Sequence, residues 1–358
     1  MQSVETYQKE RRKAGRLRRM GRCWQLYLLL LPAVAYIFIF NYMPLYGIQI
    51  AFRKYSPRKG YLGSAWVGWK NFQRFFNSPD LWRLIKNTLT LSVYSLLVGF
   101  PLPIILSLML NQCSSGGTKR VVQNVIYAPH FVSMVVLVGM INVMFSVNSG
   151  VVNTVLEKLG HERVLFVGQA GIFPHMYVWS GIWQNVGWNT VIYFAALSSV
   201  SSDLHDAAIV DGASKRQRIL HIDLPTIMPT ITIMLILQIG QLMNVGFEKV
   251  FLMQNNLNLQ TSETIQTYVY KMGLQNSDYS YSTAVGLFNN VINLILLSTV
   301  NAITRRMGGS GLWASTARVF EKTLKIPDTR RRHNGTEQNG RLPDPFRADS
   351  RFDSGACD

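Results

Sequence analysis

Residues 206–225 read DAAIVDGASKRQRILHIDLP, a polar and partly charged insert between two long hydrophobic segments. Just upstream, Ser201-Ser202-Asp203 offers side-chain oxygens of the kind that cap a helix by accepting its orphan backbone N–H groups. Leu204 to Val210 are expected to form a short helix with Asp206 in its first turn, where a carboxylate suits the helix dipole. Gly212 predicts a break, because glycine reaches backbone angles closed to other residues. Ser214 is placed to cap a second short helix ending before Pro225. Two short helices joined at a glycine make a compact knob that projects from its surroundings. The small residues Ala207, Ala208 and Ala213 let a partner approach it closely.

The surroundings are expected to be a bilayer. The chain has 358 residues, 48% hydrophobic and 15% charged, whereas soluble domains carry about 25% charged residues. Lys and Arg number 36 against 19 Asp and Glu, a net charge of +17. Such a balance raises nucleic-acid binding. However, the basic residues cluster at the termini and at the ends of apolar runs, where a membrane protein places them, so no nucleic-acid partner is expected. Cys23, Cys113 and Cys357 are far apart and form no CxxC pair, so neither a disulfide framework nor a metal site is expected.

Residues 1–23 form a basic N-terminus, and an apolar run follows from Trp24 to about Gly47. It is longer than the roughly 7–15 residues of a signal peptide's apolar core, and it ends in Asn41-Tyr42-Met43-Pro44-Leu45-Tyr46. It therefore reads as an uncleaved first transmembrane helix. Five further segments, 84–111, 121–147, 172–200, 226–253 and 280–304, are each long enough to cross about 30 Å of hydrocarbon at about 1.5 Å per residue. The expected fold is an all-α integral membrane domain of six transmembrane helices over residues 24–313, with both termini cytoplasmic. Lys119-Arg120, Lys215-Arg216-Arg218 and Arg305-Arg306 then fall on the inner side, as the positive-inside rule asks. The outer loop 52–83 opposes the rule with Arg53, Lys54, Arg58, Lys59, Lys70, Arg74 and Arg83 against Asp80. Its Trp66, Trp69, Phe72, Phe75, Phe76 and Trp82 suggest an interfacial segment lying on the headgroups, with substrate or partner binding as the alternative. Outer residues 150–160 and 262–274 read as short amphipathic helices. Residues 314–358, with Arg330-Arg331-Arg332 and scattered Pro and Gly, read as a disordered cytoplasmic tail, either dispensable or a product of cloning.

Polar residues inside membrane helices are costly and face a cavity or a partner helix. The fourth segment carries Trp183, Gln184, Asn185, Trp188 and Asn189. The fifth carries Gln238, Gln241, Asn244 and Glu248, and the sixth Asn289, Asn290 and Asn293. Helical spacing puts Gln184, Asn185, Trp188 and Asn189 on one face, and those of the fifth on one face. Amides that fork to adjacent hydroxyls, with aromatic rings that stack on C–H faces, are the inventory a saccharide needs; interhelical hydrogen bonding is the structural alternative. Glu248 and Lys249 are expected as a local ion pair or interfacial anchors, and His130 and His175 as isolated structural residues. No catalytic constellation is evident. No G-x-x-x-x-G-K-[ST] run occurs, since Gly116-Gly117-Thr118-Lys119 lacks the leading glycine.

Asp206-Ala207-Ala208, Asp211-Gly212-Ala213 and Ile222-Asp223-Leu224-Pro225 fall at the spacing of the cytoplasmic EAA loop, and on these residues the chain resembles permease subunits of ABC importers. Here Asp206 stands where the family has Glu. The resemblance implies the type I importer permease fold, with 201–225 as the coupling loop. Asp206, Ala207, Ala208, Asp211, Gly212, Ala213, Leu224 and Pro225 would then meet a separate ATPase. It also implies location in a bacterial cytoplasmic (inner) membrane, a second homologous permease, two ATPase subunits that hold ATP and Mg, and an extracytoplasmic solute-binding protein. No cofactor is expected in this chain. The blocks Met43-Pro44-Leu45-Tyr46-Gly47, Trp69-Lys70-Asn71-Phe72 and Gly246-Phe247-Glu248-Lys249-Val250 look like the maltose-type, LplB-like group of multiple-sugar and polysaccharide importers. That likeness implies a saccharide substrate bound by Trp183, Gln184, Asn185, Trp188, Asn189, Gln238, Gln241, Asn244, Asn289 and Asn293. The basic outer loop suggests an acidic saccharide. Alternatives are a non-sugar solute, or an ion-coupled secondary transporter.

Overall fold

Helix α1 (Trp24–Ile37) runs without a stop through a π turn (Phe38–Tyr42) and a 3₁₀ segment (Met43–Phe52). Pro44 falls at the start of the 3₁₀ segment, where the hydrogen-bonding pattern changes and a residue without an N–H is accommodated. The first span therefore passes beyond the Gly47 end expected from hydropathy. Most of its apolar side chains, Leu28 to Tyr46, are exposed, which suits contact with lipid or another subunit. This computed structural model describes residues 24–306 apart from residue 114, and all of them fall within the first of two units, Met1–Leu312. The basic segment 1–23 and the tail 314–358 lie outside the described residues.

The loop that follows, expected on the outer side, is anchored to the core. Two short strands, β1 (Arg53–Lys54) and β2 (Ala65–Trp66), pair antiparallel with Arg53 opposite Trp66. Helix α2 (Lys70–Phe76) buries Phe72 against Ala51 and Ala284. Its Phe75 joins a cluster with Leu84, Met243, Ile265, Tyr268, Tyr281 and Val285. Only Trp66, Trp69, Phe76 and Trp82 of the loop's aromatics named above remain exposed, so the loop does not lie wholly on the headgroups. Part of its basic charge is also neutralised. Arg74 pairs with Asp278 at 2.6 Å, and Arg83 pairs with Asp80 at 2.7 Å and Glu263 at 2.6 Å. The pairs to Asp278 and Glu263 tie it to the loop 254–279, and together the pairs weaken the case for steering by its charge alone.

Helices α3 (Asp80–Gly99) and α4 (Pro101–Asn111) form one span, because Phe100 keeps helical angles and Pro101 takes the first position of α4. The third segment is not a single rod. Helix α5 (Gly116–Tyr127), a 3₁₀ turn (Ala128–Phe131) and α6 (Met134–Met144) bend by 96°. Pro129 removes a backbone donor at the bend, and Ser133 restarts the helix by accepting from Val136 N at 3.3 Å. After α7 (Val151–Lys158), α8 (Phe173–Leu197) crosses the molecule. Then come α9 (Ser202–Val210), α10 (Lys215–Arg218), α11 (Leu224–Ile239), α12 (Phe247–Met253), α13 (Ile265–Tyr270) and α14 (Tyr279–Arg306).

Helix α7 is amphipathic as expected, with apolar residues on its outward face. Its Val151 and Val155, with Leu159 at its end, are exposed, while Asn153 is buried. The Asn153 amide donates to Ser146 O and Val164 O, both at 3.0 Å, and accepts from Val164 N at 2.8 Å. Helix α13, in the other segment read as amphipathic, is part of the core through Ile265 and Tyr268.

Among the described residues, four helices have the length and apolarity to cross a membrane: Tyr27–Phe52, Asp80–Asn111, Lys215–Ile239 and Tyr279–Thr304. Taken as one broken span, the bent pair α5–α6 brings the number to five. Helix α8 has 25 residues, long enough at about 1.5 Å each, but its amides lower its hydropathy. The expected fifth span, 226–253, stops at Ile239 and resumes at Phe247. A core cluster of Leu91, Leu137, Val138, Ile141, Phe173, Val245, Val250 and Met253 holds α12 against α3, α6 and α8.

Candidate functional site

The knob is built as its sequence suggests up to Ser214 and differently beyond it. Ser201 Oγ accepts from Asp203 N at 3.3 Å and α9 begins at Ser202, so Asp203 is the first-turn acid and Asp206 lies a turn later. Helix α9 ends with Ala213 N donating to Ala208 O at 2.8 Å and Gly212 N to Ile209 O at 3.0 Å. Gly212 has φ +79°, the left-handed conformation this paired closure requires. Ser214 then caps α10. Its N–H donates to Gln217 Oε1 at 2.8 Å while its hydroxyl accepts from Gln217 N at 3.4 Å, a reciprocal capping box. The second helix does not end before Pro225. It passes through a π turn (Ile219–Asp223) into α11, and Pro225 sits in the first turn of α11, where proline is tolerated.

Asp223, with 0% of its surface accessible, ties the knob together. Its Oδ2 accepts from Gln112 Nε2 at 2.9 Å, at the end of α4, and its Oδ1 lies 3.1 Å from His205 Nε2 on α9. Asp206, Ala207, Asp211, Gly212 and Pro225 face outward, and Ala208, Ala213 and Leu224 are half-buried. Leu204, Ile209 and Val210 stand exposed beside them, Val210 by 87%. These three were not among the candidates, although their apolar character next to Asp206 was readable. The first helix of the knob presents an acidic and apolar surface, and Lys215, Arg216 and Arg218 follow on the second.

A cavity of about 520 Å³ lies between α3, α8, the end of α11, the 240–246 turn and α12. Of the ten expected ligand residues, Gln184, Asn185, Asn189, Gln238, Gln241 and Asn244 line it. Gln238, Gln241, Asn244 and Glu248 do not share a helical face, because the helix is broken between them. The irregular backbone nevertheless turns all four to the same cavity, the setting in which a membrane protein tolerates a break. Gly240 permits this course. A Cβ there would come within 2.6 Å of Leu297 Cδ1 on α14.

Asn244 is the hub of the break. Its Oδ1 accepts from Gln266 Nε2, Asn289 Nδ2 and Asn293 Nδ2, each at 3.1 Å, and its Nδ2 donates to Gln241 Oε1 at 2.6 Å. Asn293 Oδ1 accepts from Met243 N at 2.9 Å. Asn289 and Asn293 are buried behind Asn244 and do not line the cavity. They hold the turn, which is the interhelical alternative. Trp183 and Trp188 are exposed and do not line the cavity either.

His130 is not isolated. Its ring stacks on Trp188 with centroids 4.6 Å apart and planes 2° from parallel, and its Nδ1 lies 3.0 Å from Asn185 Oδ1. His175 Nδ1 lies 3.0 Å from Tyr94 Oη, which accepts from Trp179 Nε1 at 3.0 Å. Gln184 donates to Val132 O at 2.7 Å, while its Oε1 is buried with no donor among the described residues. Sequence reading also missed Ser92, Ser95, Tyr177 and Lys249 in the wall. Ser92 and Ser95, three apart in an apolar helix, carried the same signal as the amides. Lys249 is neither an interfacial anchor nor the ion-pair partner of Glu248. It is 4% exposed, and Nζ donates to Tyr177 O at 2.7 Å.

Residues 99–309 match the family model described as a binding-protein-dependent transport system inner membrane component. The chain is 45% identical over 288 residues to Protein LplB of Bacillus subtilis (strain 168), covering 80% of this chain and 91% of that one. It is 40% identical over 307 residues to the polygalacturonan/rhamnogalacturonan transport system permease protein YteP of the same organism, covering 86% and 95%. Its fold matches chains in two solved structures. One is of a bacterial ABC transporter involved in import of the acidic polysaccharide alginate, with TM-score 0.75 and 40% identity over 81% of this chain and 98% of that one. The other is of the bacterial alginate ABC transporter in complex with an alginate pentasaccharide-bound periplasmic protein, with TM-score 0.76 and 39% identity over 82% and 99%.

Proposed function

The chain belongs to the binding-protein-dependent transport system inner membrane components, and from that premise we propose that it is a permease subunit of an ATP-driven importer for an acidic oligo- or polysaccharide. The observation that carries the proposal is one continuous structural path. The knob at Ser201–Pro225 opens into the span Lys215–Ile239, whose far end, at Gln238, forms part of the wall of the amide-lined cavity. Relatives at 39–45% identity supply the substrate class. One is a polygalacturonan/rhamnogalacturonan permease, and another belongs to an alginate importer that has been seen with its periplasmic protein.

In this proposal an ATPase, carried on separate subunits with its ATP and Mg, docks on Asp206, Ala207, Asp211 and the neighbouring Leu204, Ile209 and Val210. A second, homologous permease completes the pore, and a binding protein outside delivers the saccharide. The knob and both termini face the cytoplasm. ATP-driven closure of the ATPase moves the knob, and α11 transmits that motion to the wall holding Gln184, Asn185, Asn189, Gln238, Gln241 and Asn244. The helices rock and the cavity alternates between the two sides. A cavity of about 520 Å³ lies within the range of small-molecule sites, and its amides suit paired hydroxyls. The test is purification of the subunit with its native partners, followed by ATP-dependent uptake of oligogalacturonate, oligoalginate and a neutral oligosaccharide into proteoliposomes. Uptake of an acidic saccharide supports the proposal. ATP-independent movement of solute by the subunit alone overturns it.

A further inference from the structure

Lys249 is the one basic side chain in the cavity wall among the described residues, and its environment is unusual for a cation. Its side chain is buried, its Nζ donates to the Tyr177 carbonyl at 2.7 Å, and it lies 4.7 Å from the Tyr177 ring centroid. No carboxylate among the described residues pairs with it, and the neighbouring Glu248 is exposed and also forms no ion pair among them. A buried ammonium ordinarily carries a counter-charge; this one has only a neutral carbonyl and a ring face, which leaves hydrogen-bond donors uncommitted. The space in front of it is kept by Gly181, where a Cβ would come within 3.0 Å of Nζ. Gln184, with its donorless buried Oε1, lies one helical turn from Gly181 on the same wall.

We infer that Lys249 anchors the carboxylate of an acidic sugar unit inside the cavity and so selects charged over neutral saccharides at the translocation step. This deepens the proposed function and rests on it. Lys249 and Glu248 together leave the wall without net charge, so the preference arises from a direct contact and not from the cavity's overall field. A carboxylate accepting from Nζ makes a charge-assisted hydrogen bond, roughly twice as strong as a neutral one, and the flexible lysine stem lets Nζ swing from Tyr177 O to the ligand. The sugar hydroxyls then fall to Gln184 and Asn185.

The experiment uses the complete importer with its binding protein in proteoliposomes and reads initial rates of ATP-dependent trigalacturonate uptake. Lys249→Met is expected to lower the rate by roughly 10- to 100-fold, the worth of one hydrogen bond to a charged group. Lys249→Arg is expected to restore it to within a few-fold. Gly181→Ala, which crowds Nζ without touching its charge, is expected to fall between them. Undiminished uptake in Lys249→Met overturns the inference and leaves the importer intact. A loss that Lys249→Arg does not recover also overturns it, because charge is then not what matters. A wild-type importer that carries neutral saccharides and refuses trigalacturonate removes the acidic-substrate proposal itself, and this inference with it.

Discussion

Gly187 offers the sharpest test of how the cavity wall is assembled. It lies in α8 between Gln184 and Trp188, and a Cβ there would come 1.9 Å from Ile126 O, 2.5 Å from the Ile126 carbonyl carbon and 3.1 Å from Tyr127 N. These are backbone atoms at the end of α5, so no flexible side-chain tip can move aside. An ordinary C···O contact is about 3.3 Å, so Gly187→Ala must part α8 from α5 by about 1.4 Å. The same displacement stretches the Gln184–Val132 and His130–Asn185 contacts, now 2.7 Å and 3.0 Å, beyond hydrogen-bonding range. Two such bonds contribute about 1 kcal/mol each, and overpacking costs about 1–3 kcal/mol more. The expected total is about 3–5 kcal/mol, a fall in apparent Tm on the order of 10 °C. The assay is thermal unfolding of the purified importer in detergent, with Gly286→Ala as control because a Cβ at Gly286 meets nothing within 4 Å. If Gly187→Ala melts within about 2 °C of the parent, the close α5–α8 contact is not what holds this wall.

Three further outcomes are expected. Gly212→Pro forces φ from +79° to about −65° and removes the donor to Ile209 O, so it should abolish substrate-stimulated ATP hydrolysis in the reconstituted importer while membrane insertion persists. Asp206→Lys, which reverses an exposed charge on the same knob, should do the same, and unchanged stimulation in both would remove the coupling role. Asn244→Leu leaves the buried amides of Asn289 and Asn293 and the Gln266 amide without their shared acceptor, a cost of about 2–4 kcal/mol visible as a lower Tm and slower uptake. Asp223→Ala releases Gln112 and His205 together. Limited trypsin digestion should then cut faster at Lys215–Arg218, and an unchanged cleavage rate would show that Asp223 does not hold the knob.

Much of the architecture was readable because helix caps and apolar runs are local signals. Ser201, Gly212 and Ser214 do what their side chains or lack of one suggested. Residues 121–147 and 226–253 are apolar enough to pass as single spans, yet both are broken. The first breaks at Pro129, a local signal that hydropathy outweighed, and the second near Gly240, which lies close against Leu297 of α14. The amide seam was identified as a set and misassigned in part. Asn289 and Asn293 have the same amide chemistry as Asn185 and Asn189, which line the cavity, but α14 places them behind Asn244. Lys249 was invisible as a wall residue because an apparent outer helix end turned out to be a separate helix folded back beside Tyr177.

The broken fifth span also explains how a knob and a cavity far apart can act as one device. Lys215–Ile239 is one helical span of 25 residues, about 37 Å at helical rise, with a π turn at Ile219–Asp223 and Pro229 inside it. Its near end is fixed in the knob by the Ser214 capping box and by Asp223. Its far end carries Gln238 and hands over at Gly240 to the turn that holds Gln241 and Asn244. A helix transmits displacement along its axis with little loss, whereas the irregular turn can change shape at small cost. Placing the rod towards the knob and the pliable turn at the cavity converts a push on the knob into a change in the cavity wall. The reverse arrangement would absorb the push before it arrived. Under the proposed function, the break in the membrane helix is therefore the part of the chain on which coupling depends.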